Sequence, residues 1–475
     1  MRGTTRTTRR RPAALWIGAV VVLVFTASCV QGPITGPGVP SLAVGLDVSA
    51  LGYEQSEYFL AGLADAYTPT APLTSDGKWQ VAPDPANSGV AFKTRLVVHR
   101  PVDPAEFNGT VVVEWLNVSA GADLANDWVS AHNEFVRDGT VWVGVSAQAV
   151  GVNTLKACCA DRYGSLVHPG DSFSYDMFTW AGKVIRTNPN VLGGLAPQRV
   201  LAAGESQSAS RLVTYIDAIH PLVKTYDGFL VHSRGTSGSA LAQTPLTPVP
   251  TPSPSLIRDD LAEPVFVVQA EGDVIGSNLV VRQPDTPKFR QWEMAGTSHA
   301  DAYMAGLGFG DTGNGNGAVQ MFALMRNPNP APSGCASPIN AGPHHWILQA
   351  AFHGLDAWVQ TGTTPAVGPL LDVDSTSPVV LTRDAQGNAL GGVRSPQVDA
   401  PVATITGLNS GPGFCRLFGS TTPLTSAQLS ALYPTHDAFV AQWTASLVAA
   451  LAGGFLLAPD AYELLAAGVF SQIPN

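Results

Sequence analysis

The 475-residue chain is 45% hydrophobic and only 13% charged, with ample apolar material for one large domain or two. Its net charge is −10, and five of its few basic residues, Arg2, Arg6, Arg9, Arg10 and Arg11, crowd the amino terminus. The acidic remainder has no electrostatic footprint for nucleic acid or anionic lipid, which excludes both as partners of the folded body.

The arginines lead into an apolar run, Ala13 to Ala27, with the pattern of an export signal and too few residues for a comfortable membrane span. It ends in Thr26-Ala27-Ser28-Cys29, which resembles the lipobox of bacterial lipoproteins, with Thr26 where Leu is usual. Residues 1–28 are thus expected to be a signal peptide and Cys29 a lipid anchor. The protein would sit on the outer face of the cell membrane, touching it only through that anchor, or be secreted if Cys29 is incidental. The Gly/Pro-rich stretch 30–42 reads as a flexible tether, so residues 29–50 are assigned to it and 51–475 to the folded body. Export permits disulfides. With Cys29 acylated an even set remains, Cys158, Cys159, Cys335 and Cys415. Cys335 and Cys415 both lie in Gly/Pro-rich loops and are the preferred pair.

From about Phe92 strand and helix signals alternate. Thr110 to Leu116 reads as a buried strand, and Leu124 to Asp138 as a helix with Leu124, Trp128, Ala131 and Phe135 on one face. Val141 to Val145 is strand-like, Tyr175 to Arg186 helical, Val200 to Ala203 a short strand, and Gln207 to Ile219 a helix with Ala209, Leu212, Val213, Ile216 and Ile219 aligned. Three more strands follow at Gly228 to His232, Val265 to Val268 and Phe289 to Glu293. Alternating units of this kind build a mostly parallel sheet flanked by helices. The segment 306–343 is too long for a simple connection and is expected to be a lid-like insertion. Residues 344–361 and the tail from Ser426 look helical, and the apolar stretch Ala438 to Ala458 reads as a buried core helix.

A serine hydroxyl needs exposure on a sharp turn and a base beside it to act as a nucleophile. Gly204-Glu205-Ser206-Gln207-Ser208 stands between a strand and an amphipathic helix, the context of a nucleophile elbow, with Ser208 replacing the usual last glycine by another small residue. In the α/β-hydrolase fold the acid follows a later strand and the histidine the last one. After Val268 comes Glu271-Gly272-Asp273, and after Glu293 comes Gly296-Thr297-Ser298-His299. Ser206, Asp273 and His299 are therefore the expected nucleophile, acid and base, with Glu271 as the alternative acid. The oxyanion donors are expected to be the backbone N–H of Gln207 and one from the loop after the first strand, Asn117 or Val118. No Cys or His spacing suggests a metal: His344 and His345 are neighbours and on a helix diverge by about 100°. No cofactor is expected.

These stretches resemble a known family, the mostly bacterial α/β-hydrolase-domain proteins of unassigned substrate. The matching residues run through Trp115-Leu116-Asn117-Val118-Ser119, Val143-Gly144-Val145-Ser146-Ala147-Gln148, Gly204-Glu205-Ser206-Gln207-Ser208 and Gly296-Thr297-Ser298-His299-Ala300-Asp301, and the similarity reaches from about Gly52 to the carboxyl end. The resemblance implies an α/β-hydrolase fold with a helical carboxyl-terminal extension and supports Ser206 and His299; it supplies no substrate. The expectation is an exported hydrolase of carboxylic esters, acting on a small-molecule or lipid-like ester through an acyl-enzyme. The alternatives are an envelope acyltransferase using the same three residues and a non-catalytic binding lipoprotein on the same scaffold.

Overall fold

Apolar strand segments joined by amphipathic helices require a sheet covered on both faces. A computed structural model of the chain describes residues 29–38, 47–276 and 278–474, with Met1 and Gly3. The expected signal sequence lies in residues 1–28, and its apolar run is outside the described residues.

The main sheet contains β1 (Cys29–Gln31), β2 (Tyr53–Ala64), β3 (Val90–Pro101), β4 (Thr110–Trp115), β5 (Val141–Val145), β6 (Arg199–Glu205), β7 (Gly228–His232), β8 (Val265–Ala270) and β9 (Phe289–Met294). Their order is β1-β2-β3-β5-β4-β6-β7-β8-β9. Pairing is antiparallel from β1 through β3 to β5 and parallel from β5 to β9. The helices used below are α1 (Asn126–Asp138), α2 (Ser174–Thr187), α3 (Gln207–Thr214), α4 (Glu271–Ile275), α5 (Asn316–Arg326), α6 (His344–Thr361), α7 (His436–Ala452) and α8 (Ala458–Val469).

The period-2 alternation of a strand sends neighbouring side chains to opposite faces. Val111 and Val113 join the core that holds Phe178 of α2 and Leu212 of α3, while Val112 joins the core of Trp128 and Phe135 from α1 and Phe352 from α6. The six strands expected from the sequence coincide with β4 to β9 to within a residue or two. The helix expected over 207–219 is α-helical only to Thr214 and continues as a π turn, Tyr215–Ile219.

Three expectations are corrected. The tether 29–50 is not flexible throughout: Cys29–Gln31 pairs with β2, and the Arg162 guanidinium donates to the carbonyls of Ile34, Pro37 and Gly38 while pairing with buried Glu57. The charge pair fixes the guanidinium, which fixes the backbone. Replacing Arg162 by Leu is expected to raise amide exchange across 30–38, measured by hydrogen–deuterium exchange, with little change in β6 to β9. The stretch 438–458 is not fully buried: α7 places Phe439, Trp443 and Leu447 in the core but leaves Ala441, Ala445, Val448 and Leu451 exposed. Among the described residues no helix is long and apolar enough to cross a membrane. The insertion 306–343 carries α5, whose Ala318, Met321 and Met325 are buried in the main core, so part of it is body rather than a separate cover.

Candidate active site

Parallel strands end on one edge of the sheet, and the loops that follow β6, β8 and β9 meet there. Ser206 follows β6 directly with φ 58° and ψ −115°, a conformation that non-glycine residues rarely adopt. Its N–H is held by His232 O at 2.9 Å, at the end of β7, and its own carbonyl accepts Ser210 N–H at 3.1 Å. These bonds force the sharp turn that lifts the hydroxyl off the sheet. A Cβ on Gly204 would lie 3.1 Å from the backbone of Ser208, tighter than an ordinary contact, so the turn favours glycine there.

The structure brings Ser206, His299 and Asp273 into one row. His299 Nε2 is 2.7 Å from Ser206 Oγ and His299 Nδ1 is 2.6 Å from Asp273 Oδ1. Asp273 is further fixed by Ala270 N–H on its other oxygen at 2.7 Å. Burial alone would raise the Asp273 carboxyl, but His299 and the hydrogen bonds hold it below its usual value. Burial likewise opposes charge on His299, yet Asp273 and Glu205 together raise it to about 9.

Glu271 faces elsewhere. Its carboxylate accepts Gly296 N–H at 2.9 Å, Gly407 N–H at 3.0 Å and Arg383 at 2.7 Å. It is an anchor for the loop that carries His299. Gly296 itself has φ 71°, and a Cβ there would strike Val398 and Ile405.

Of the expected oxyanion donors, Gln207 is the first residue of α3, where the N–H has no carbonyl within its own helix. Asn117 is corrected as a backbone donor: its N–H is bonded to Leu124 O at 2.9 Å, in a bridge that closes the loop after β4. Its side chain is what reaches the site, with Nδ2 donating to Glu205 O and Oε2, both at 3.0 Å. Val118, the other expected donor, follows it in the same loop.

Sequence reasoning missed a buried array beneath the row. His232 Nδ1 is 2.8 Å from Asp127 Oδ1, His232 Nε2 is 2.6 Å from His344 Nε2, and His344 Nδ1 is 2.9 Å from Ser298 O. The Ser298 carbonyl can only accept, so His344 Nδ1 carries a proton and its Nε2 takes one from His232. The remaining proton lies between His232 and Asp127. Burial favours neutral forms throughout, pushing His344 down to about 3 and Asp127 up to about 8. The array ties the strand end that holds Ser206 to the loop that holds His299. His232 carries no local sequence signal for this role, because its partners lie 105 and 112 residues away.

Ser206 and His299 open into a cleft of about 220 Å³ lined by Leu124, Met304, Ala305, Phe414, Leu417 and Phe418, with Asn117, Asn126 and Glu205 as its main polar groups. None of its lining residues comes from 306–343. That insertion reaches the cleft indirectly, because Cys335 is disulfide-bonded to Cys415, between two residues of the wall. Replacing both cysteines by Ser should cost about 4 kcal/mol for a closed loop of this length, read from denaturant unfolding, and should raise KM more than it lowers kcat as the wall loosens. Cys29 is exposed at the sheet edge. Among the described residues, Glu134, Asp138 and His353 form a group of metal-ligand type, but Glu134 is already paired with Arg137 and His353.

The raised His299 sets a pH dependence. A group whose folded value lies above its unfolded 6.5 stabilises the fold fully below about pH 6.5 and ceases to as pH rises through about 9. Chemical denaturation at pH 6 and pH 9.5 is therefore expected to show a loss of about 3 kcal/mol from this group, with a smaller loss in His299→Gln.

No curated protein matches the sequence. Among solved structures, the chain is similar to an α/β serine hydrolase without a lid from Xanthomonas campestris, at 15% identity over 49% of this chain and 87% of that one, with a TM-score of 0.27. It is similar to an esterase from Pyrobaculum calidifontis at 16% identity, over 42% and 72% of the two chains, with a TM-score of 0.26. It is also similar to a CE15 glucuronoyl esterase from Teredinibacter turnerae at 12% identity, over 56% and 74%, with a TM-score of 0.27. The sequence profile described as an alpha/beta hydrolase domain matches residues 30–466, nearly the whole chain, and the protein belongs to that family of α/β hydrolases.

Proposed function

We propose that the protein is an extracytoplasmic serine hydrolase that cleaves uncharged carboxylic esters through an acyl-enzyme on Ser206. The observation that carries this is the hydrogen-bonded row Asp273–His299–Ser206 at the floor of an apolar cleft. Ser206 Oγ attacks the ester carbonyl while His299 Nε2 takes its proton; the same proton then goes to the leaving alcohol. Asp273 keeps Nδ1 protonated and faces the imidazolium. The tetrahedral oxygen is met by Gln207 N–H, aided by the positive end of α3, with Val118 N–H as the second donor. Water resolves the acyl-enzyme by the same proton path.

The cleft volume suits a short acyl group, and its apolar wall with one carboxylate disfavours anionic esters. The Cys335–Cys415 disulfide fits an oxidising compartment, and the arginine-rich start with Cys29 fits export and lipid anchoring. A fluorophosphonate probe is expected to label the purified protein at Ser206. Absence of label on folded protein would sink the proposal. Cys29→Ala is expected to move the protein from the membrane to the soluble fraction after cell fractionation.

A further inference from the structure

One buried carboxylate beside the row has no part in the scheme above. Glu205 ends β6 and is 2% exposed. Its Oε1 stands 3.2 Å from His299 Nε2, the same nitrogen that meets Ser206 Oγ. Its Oε2 accepts the side-chain amides of Asn117 at 3.0 Å and Asn126 at 2.7 Å. Two donors on one oxygen suit a carboxylate and fix its plane. The His299 ring thus lies between carboxylates at both nitrogens, Asp273 on Nδ1 and Glu205 on Nε2.

A neutral glutamine would fill the same space and satisfy the same amides without the cost of burying a charge. Three separate segments, the end of β6, the loop after β4 and the start of α1, instead converge on a carboxyl set against the proton-carrying nitrogen; burial pushes that carboxyl up, while His299, His232 and the Asn126 amide favour its ionised form. We propose that Glu205 is a second carboxylate partner of the catalytic base, holding the transferred proton on His299 Nε2 in both halves of the reaction. This rests on the serine-hydrolase reading.

As the Oγ–C bond forms, the Ser206 proton passes to Nε2 and one positive charge appears on the ring, facing Glu205 and Asp273. When the ester C–O bond breaks, that proton goes to the leaving alcohol and Glu205 is left as it began. In the second half, water forms its O–C bond, gives a proton to Nε2, and the proton passes to Oγ as the acyl bond breaks.

The groups facing His299 are Asp273 from the start of α4, Glu205 from β6, and the imidazoles of His232 from β7 and His344 from α6, both of which burial keeps neutral. Glu205 therefore makes His299 a stronger base and a weaker acid, and places activity on the alkaline side.

The test is a histidine ¹⁵N NMR titration of His299 in the full folded protein. Glu205→Gln is expected to lower the midpoint by about one pH unit or more, with the acid limb of kcat/KM for a neutral p-nitrophenyl ester moving the same way and Glu205→Asp falling between. A purely structural Glu205 would leave the midpoint in place, and that result overturns the proposal. Should Glu205→Gln not fold, Asn126→Ala removes one donor from the carboxylate and is expected to produce a smaller shift in the same direction; no shift overturns the proposal equally. Fluorophosphonate labelling of the same samples separates the two claims. An unlabelled wild type strikes the hydrolase reading, whereas a labelled wild type with an unmoved His299 midpoint strikes Glu205 alone.

Discussion

Ser206→Ala is expected to lower kcat on short p-nitrophenyl esters by about a million-fold, and His299→Ala by a similar factor, with the double variant no worse than either alone. The reason is geometric. His299 Nε2 sits 2.7 Å from Oγ, so under the proposed mechanism serine and histidine are one proton-transfer unit, and removing either would remove the same step. Stability should change little in Ser206→Ala, because the hydroxyl lies at the cleft and the strained turn is held by backbone bonds from Ser206 N–H to His232 O and from Ser210 N–H to Ser206 O. Relief of the positive φ does not follow, since alanine resists that region as serine does. Stopped-assay kinetics with active-site titration would check this. A variant that keeps a tenth of wild-type turnover would rule out Ser206 as nucleophile.

Asp273→Asn is expected to cost about 10⁴-fold in kcat, because an amide facing Nδ1 no longer fixes the tautomer that leaves Nε2 free to accept. Glu271→Gln should behave the opposite way. Its carboxylate is fully buried and binds two backbone N–H groups and Arg383, so the neutral amide weakens an ion pair and strands a donor, for a loss of about 3 kcal/mol by thermal unfolding. Its kcat should fall far less than that of Asp273→Asn, since the effect reaches His299 only through the position of Gly296. Comparing kcat and Tm for the two variants separates the acid that touches His299 from the anchor two residues earlier.

Much of the scaffold was legible because its signals are local. The strands of the parallel half are short apolar runs, several of them followed by a helical stripe, and β4 to β9 fall where those runs stand. The two long antiparallel strands β2 and β3 carry no such local signal. Tyr53–Ala64 mixes polar and apolar residues without a clean period, and only the twelve-residue register with Val90–Pro101 makes it a strand. The segment after Cys29 read as a tether because glycine and proline dominate it. What holds it is pairing with β2 and the guanidinium of Arg162, which lies more than a hundred residues away.

The amino-acid order by itself determined the elbow at Ser206 and the arrival of an acid and a histidine behind later strands, since a strand-turn-helix unit is encoded within a dozen residues. It also determined the choice of Cys335 and Cys415 as preferred pair. Only the tertiary structure decided that Asp273 rather than Glu271 meets His299, because the two carboxylates lie two residues apart and the direction of each is set by Gly296, Gly407 and Arg383. The fold likewise withdrew the Asn117 N–H, committed to Leu124, and placed Glu205 on the second nitrogen of His299. Those outcomes depend on where chain segments cross, and no spacing along the sequence records it.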